Sequence, residues 1–160
     1  MAVKTTDGPV ALLLSRQKLP VLGGDGSKDG LSKGAYVLSD SSEKPDMILI
    51  ATGSEVHIAL KARERLSREG VAVRVVSMPS WELFEKTGQE YKDQVLPPDV
   101  PARMAVEAGL AMGWRRYVGD DGMVIGITGF GASAPGGTVM EKFGFTTKNI
   151  VEKALVLLKK

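Results

Sequence analysis

A three-layer α/β sandwich with a mostly parallel sheet of about five strands is the fold class this sequence predicts. Three observations lead there. Short apolar segments recur along the chain, separated by turn-rich or amphipathic connections. Met47 to Val76 reads as strand, helix, strand within about thirty residues, the pattern of a parallel pair joined by a crossover. The chain ends in an amphipathic stretch with clear helix signals, placed to cover a sheet face.

Each element has its local reason. Val10 to Leu14 is a continuous apolar run, read as a strand buried on both faces. Gly23 to Lys33 (GGDGSKDGLSK) is rich in glycine, serine and charge, and reads as a flexible linker or loop. Residues 1–33 are therefore taken as tail and linker, and residues 34–160 as the folded domain. Ala35 to Ser39 is a short strand closed by Asp40, Ser41 and Ser42. Met47 to Thr52 is an apolar strand; Gly53 permits a turn, Ser54 is read as a helix N-cap, and Glu55 suits the positive first turn. The helix runs to about Glu69, with Val56, Ala59, Leu60 and Leu66 on one face and Gly70 as its C-cap.

Val71 to Val76 is the next strand, followed by short helices around Trp81 to Lys86 and Tyr91 to Val95. Arg103 to Glu107 is a strand, Ala108 to Val118 is read as helical, and Met123 to Thr128 is the last strand. Gly129 to Gly137 is a glycine-rich loop, and a short helix spans Thr138 to Phe143. In the terminal helix Thr146 is the cap, Phe145 and Ile150 have the spacing of a hydrophobic staple, and Ile150, Val151, Ala154, Leu155 and Leu158 form the buried side. Lys159 and Lys160 suit the negative end of its dipole.

Composition narrows function by exclusion. The 160 residues are 43% hydrophobic and 25% charged, a balance that supports a packed core rather than disorder. A net charge of +2 is too small to draw nucleic acid or an anionic membrane by long-range attraction. Without cysteine there is no disulfide, thiolate metal site or cysteine nucleophile. The start, MAVKTTDGPV, carries no secretory signal, and no run is long and apolar enough to span a bilayer. The expectation is a soluble cytoplasmic protein with neither nucleic-acid nor membrane partners.

Few motifs carry chemistry. Gly24-Asp25-Gly26 has the opening of a magnesium–diphosphate motif, but that motif needs an asparagine about thirty residues on as a second ligand. The only asparagine is Asn149, so the linker reading is preferred. Gly129-x-Gly131-x-x-Ala134 follows a strand, as a dinucleotide fingerprint does. Pro135, Gly136 and Gly137 delay the helix and no further strand follows, so a structural loop is preferred. His57, the sole histidine, has no second ligand near it and reads as a surface or boundary residue. Trp114, Arg115, Arg116 and Tyr117 read as packed aromatics and solvated arginines rather than a nucleic-acid surface. Gly53 and Ser54 lie at a strand's carboxyl end and a helix N-terminus, a geometry able to take an anion, although Glu55 favours self-capping. Arg16 follows the first apolar run directly. Alone it is a surface arginine, although a guanidinium there can grip a phosphate through two parallel hydrogen bonds.

LLLSRQKLP (Leu12 to Pro20), KGAYVL, ILIATGSEV (Ile48 to Val56), VRVVSMPS, VLPPDVPARMAVEAG and FGASAP together resemble the C-terminal end of the transketolase family. The resemblance runs from Pro9 to the last helix. It implies that residues up to the SRQ run end the preceding pyrimidine-binding domain, and that the rest is the third domain, a small α/β sandwich to which no catalytic role is assigned. It also implies that Arg16 contacts the phosphate of a sugar substrate, in the complete enzyme only. The parent activity would be reversible transfer of a two-carbon ketol unit from a ketose phosphate to an aldose phosphate in the pentose phosphate pathway, by a dimer using thiamine diphosphate and a divalent metal. The cofactor, the metal and the catalytic groups around them would belong to the other domains, so this chain is expected to bind no cofactor and to be inactive alone. The alternatives are a subunit of a split transketolase, or a free-standing anion- or nucleotide-binding module using the carboxyl edge of its sheet. If Val10 to Leu14 belongs to a sheet that is missing here, it should be disordered, packed on a groove, or paired with a second copy.

Overall fold

A computed structural model of the protein describes residues 5–22, 27–42 and 44–159. The centre of the molecule is strand β2 (Met47–Ala51), whose five residues are fully buried. It pairs in parallel with β3 (Val73–Ser77) on one side and β4 (Arg103–Leu110) on the other. β5 (Met123–Ile127) extends the sheet in parallel beyond β4, and β1 (Tyr36–Ser39) closes the opposite edge antiparallel to β3. The order β1-β3-β2-β4-β5 makes the five-stranded, mostly parallel sheet that the sequence predicts.

Alternation along the strands divides the core in two. Met47, Leu49 and Ala51 point to one face with Val73, Val75, Met104 and Val106. There they meet α2 (Val56–Arg68) and the terminal helix α7 (Thr147–Leu157), which supply Val56, Ala59, Ala62, Leu66, Ile150, Ala154 and Leu157. Ile48, Ile50, Val76 and Ala105 point the other way. They are covered by α3 (Trp81–Glu85), α4 (Gln89–Val95) and the short α5 (Arg115–Val118) through Phe84, Val95, Tyr117 and Val118, with Trp114 beside them. At about 1.5–3 kcal/mol for each fully buried aliphatic side chain, this double-sided burial of β2 is the main reason the sheet holds together.

Helix ends follow the local signals. The Ser80 hydroxyl accepts from the Leu83 amide, and the Thr146 hydroxyl accepts from that of Asn149. Phe145 and Ile150 are both buried beside the latter cap, as a staple requires. α2 stops at Gly70, whose φ of +83° only glycine adopts at no cost. The amides of Gly70 and Val71 donate to the carbonyls of Ser67 and Leu66, which completes a Schellman ending.

Four expectations are corrected. The segment read as a linker contains a helix, α1 (Ser27–Ser32), against which β1 packs. Gly30 is buried there, so close to Tyr36 that a Cβ would overlap its side chain, and tertiary packing outweighs the loop-like composition. Ala108 to Val118 is not a continuous helix: β4 continues to Leu110, and α5 occupies four residues only. Ser54 is not the N-cap of α2. It lies inside a 3₁₀ turn, Gly53–Glu55, preceded by extended Thr52. Val10 to Leu14 forms no strand. Residues 5–22 are without regular secondary structure, and Leu12, Leu13 and Leu14 are 71%, 90% and 78% exposed. The sheet is built from β1 to β5, and this run pairs with none of them. The remaining helix, α6 (Gly136–Lys142), begins two residues earlier than predicted and buries no residue fully, although Met140 packs partly buried against the core.

Candidate functional site

Because β2, β3, β4 and β5 run parallel, their carboxyl ends converge on one rim. In sheets of this kind that rim is where ligands are met. Three segments build it: the Thr52–Glu55 turn after β2, Met78 to Glu82 after β3, and the end of β4 from Glu107 onward. They enclose an open cleft of about 300 Å³ between Thr52, Pro79, Trp81, Glu82, Glu107 and Trp114. Trp81 and Trp114 meet edge to face, with ring centroids 5.0 Å apart, and give the cleft a rigid wall.

Glu107 lines the cleft, and a second carboxylate, Glu55, is buried in the turn beside it. Glu55 is only 3% exposed, and its Oε1 accepts a 2.5 Å hydrogen bond from the Ser54 hydroxyl. Glu107 lies nearby on β4. Burial, helped by the negative charge of Glu55, pushes the Glu107 carboxyl up to about 7. The native protein thus holds this proton more tightly than the unfolded chain, whose glutamates titrate near 4.3. Stability should therefore fall as pH rises from about 4.3 to about 7, and remain at the lower value above that. Glu107→Gln, which cannot ionise, is expected to be more stable than the wild type at pH 8 by about 1–2 kcal/mol after allowance for solvent screening, and to have no advantage at pH 4. Chemical denaturation at the two pH values checks this. An equal shift at both would place the effect in packing rather than charge.

The residues singled out from the sequence are only partly brought together. Gly53 is exposed at φ +54°, and Ser54 sits beside it with its proton committed to Glu55. Arg16 is exposed, and its guanidinium has no carboxylate partner among the described residues. It does not reach the turn itself, but its neighbour does: Gln17 Nε2 lies 3.5 Å from the Ser54 Oγ. His57 is half-buried in the first turn of α2, and its Nδ1 is buried without a hydrogen-bond partner among the described residues. Trp114 and Tyr117 are buried and Arg115 and Arg116 exposed, the latter bonded to Glu85, so this cluster is core and rim as predicted. Gly129 to Ala134 is an exposed loop. Gly24-Asp25-Gly26 lies outside the described residues.

Glu107 and Gln17 were missed by sequence reasoning. An acid closing an apolar strand was a usable signal for the first. Nothing signals the second, since the Gln17–Ser54 contact joins residues 37 apart.

The family of transketolase-like C-terminal domains matches residues 34–146. The chain belongs to the transketolase family. Its relatives include the transketolase of Halalkalibacterium halodurans, 52% identical over 99% of this chain and 24% of that protein, and the chloroplastic transketolase of Spinacia oleracea, 53% identical over 96% and 21%. Transketolase from Pichia stipitis, solved in complex with sedoheptulose-7-phosphate, superposes with a TM-score of 0.81 at 37% identity, over 90% of this chain and 20% of that one. A split-gene transketolase solved as an inactive β4 tetramer shares the fold at a TM-score of 0.71 and 19% identity, over 90% of this chain and 48% of that one. The chain thus spans about a quarter of the length of the curated relatives it matches, and the likeness includes the tail before residue 34.

Transketolases depend on thiamine diphosphate and a divalent metal. Among the described residues no three histidine, aspartate or glutamate side chains are grouped to hold a metal ion. Burial and the neighbouring Glu55 charge both disfavour ionisation of the half-buried Glu107 carboxyl, which makes it a poor cation ligand. These residues do not fit that cofactor and metal, and no step is routed through them. No helix among the described residues is long and apolar enough to cross a membrane.

Proposed function

We propose that this chain works as the C-terminal portion of a transketolase, a structural and assembly element of an enzyme that moves a two-carbon ketol unit from a ketose phosphate to an aldose phosphate. The observation that carries the reading is the tail. Its apolar run is exposed and unpaired in this fold, yet relatives about four times as long match the chain across that same run. A row of leucines with open backbone edges is an element of a sheet built elsewhere. In this reading the tail through the SRQ run ends the preceding domain, α1 and the chain that follows it belong to the third domain, and the complete enzyme is a cytoplasmic homodimer.

The division of labour follows from the side chains. Cofactor, metal and the groups that move protons on the substrate belong to the other domains, where thiamine diphosphate supplies the carbanion chemistry. Arg16 is the one residue of this chain assigned to substrate. Its exposed guanidinium can meet two phosphate oxygens at once.

The 160-residue chain alone is expected to give no ketol transfer from xylulose 5-phosphate to an aldose phosphate acceptor. Transfer by the complete enzyme, with none by the chain alone under the same thiamine diphosphate and metal, supports the proposal. Turnover by the chain alone would overturn it.

A further inference from the structure

The tail's route across the domain points to a specific contact between the two. The Gln17 amide N–H donates to the Ser15 hydroxyl at 3.0 Å, which folds the backbone tightly around Arg16. The turn leaves Gln17 beside the Gly53–Glu55 turn, with its side-chain Nε2 3.5 Å from the Ser54 Oγ. That oxygen is ready to accept. Its own proton is given to Glu55 Oε1 at 2.5 Å, which leaves its lone pairs free to accept. The orientation is anchored from below, because Glu55 is 97% removed from solvent and its carboxylate cannot swing away.

We infer that Gln17 and Ser54 form a latch that holds the Arg16 loop against the Gly53–Glu55 turn, and that both are positioning residues for the phosphorylated substrate. The inference rests on the reading of Arg16 as a phosphate ligand. Two-oxygen recognition of a phosphate by a guanidinium depends on orientation, and a loop that is otherwise exposed loses that orientation when its side contact is removed. The latch is a neutral amide on a neutral hydroxyl. It therefore fixes the loop without placing a carboxylate against the guanidinium, which would compete with the substrate. It also gives the domain a share in substrate recognition without a residue in the reaction.

The test uses the complete transketolase carrying this sequence, with KM and kcat measured for a phosphorylated and a non-phosphorylated ketol donor. Gln17→Leu and Ser54→Ala should each raise KM for the phosphorylated donor about threefold, with kcat and the non-phosphorylated donor unchanged. The double variant should be no worse than Ser54→Ala alone, since the Gln17–Ser54 contact is already lost there. Ser54→Thr, which keeps the hydroxyl, should restore KM. Arg16→Ala serves as the reference and should raise KM for the phosphorylated donor at least tenfold. If Arg16→Ala does so while Gln17→Leu and Ser54→Ala do not, the latch is wrong and the role of Arg16 stands. If Arg16→Ala leaves KM unchanged, the phosphate role itself fails, and the latch with it. Equal losses for both donors would also overturn the latch, because they would report general damage to the enzyme.

Discussion

Trp114→Ala is expected to destabilise the domain by about 4 kcal/mol, at the upper end of what a single core truncation costs. Trp114 is 2% exposed and stands where the chain leaves β4 to begin α5. It packs edge to face on Trp81, and Tyr117 lies 6.0 Å away on the same cluster. Removing the indole opens a void that its neighbours cannot close. Trp81 is held between Trp114, Tyr117 and the bare backbone of Gly113, where even a methyl group would come within 2.6 Å of its ring. The surroundings are already at contact distance, so relaxation is small and the cavity cost is paid in full. Trp114→Phe keeps an aromatic edge and should lose about 1.5 kcal/mol. Urea unfolding followed by far-ultraviolet circular dichroism measures both. A loss below about 1 kcal/mol for the alanine variant would show that the cluster is less tightly interlocked than its geometry indicates.

The same cluster shows what could be read in advance. Met47 to Ala51 was legible because a continuous apolar run bounded by turns has one comfortable home, the centre of a parallel sheet. α2 was legible because its apolar spacing and Gly70 agree on where it lies and where it ends. The end of β4 was not. Ala108, Gly109 and Leu110 carry neither a two-residue nor a 3.6-residue signature, and small residues satisfy helix and strand alike. What decides for strand is β5, which pairs Ile127 with Leu110 across a register shift. That partner is distant in sequence, so no local pattern contains it. α1 failed for a similar reason, since Gly30 fits only because Tyr36 lies over it.

The rim divides along the same line. Gly53 and Ser54 were found because a strand-to-helix turn has a local signature. The burial of Glu55, the raised pKa of Glu107 and the approach of Gln17 arise from chains crossing in space. Glu55 reads in the sequence as a charge suited to the positive first turn of the helix. Instead the 3₁₀ turn rotates it inward, beneath Ser54 and toward β4. One local change of helix type thereby exchanged an ordinary capping charge for a buried carboxylate near the half-buried Glu107.

Arg103 should prove nearly as costly to replace as Trp114. It opens β4, and its guanidinium donates to four backbone carbonyls: Nε to Val100, Nη1 to Tyr117, and Nη2 to Leu96 and Pro97. These carbonyls belong to the irregular chain between α4 and β4 and to the end of α5, segments with no ladder of their own to satisfy them. One planar cation with five donors does so at the opposite end of the sheet from the cleft. Burial pulls its pKa below the ordinary arginine value, but the group stays charged across the working range. Arg103→Met keeps most of the apolar stem and removes every donor. A loss of about 3 kcal/mol is expected, because these carbonyls lose their charged donor, although that of Pro97 keeps the Val100 amide. Arg103→Lys keeps the charge, but a single ammonium cannot span carbonyls arranged around a fork, and it should recover about half of that loss. Midpoints of denaturant unfolding for the three proteins decide the matter. Lysine equal to arginine would mean that charge alone is needed, whereas lysine equal to methionine would assign the whole effect to the geometry of the fork.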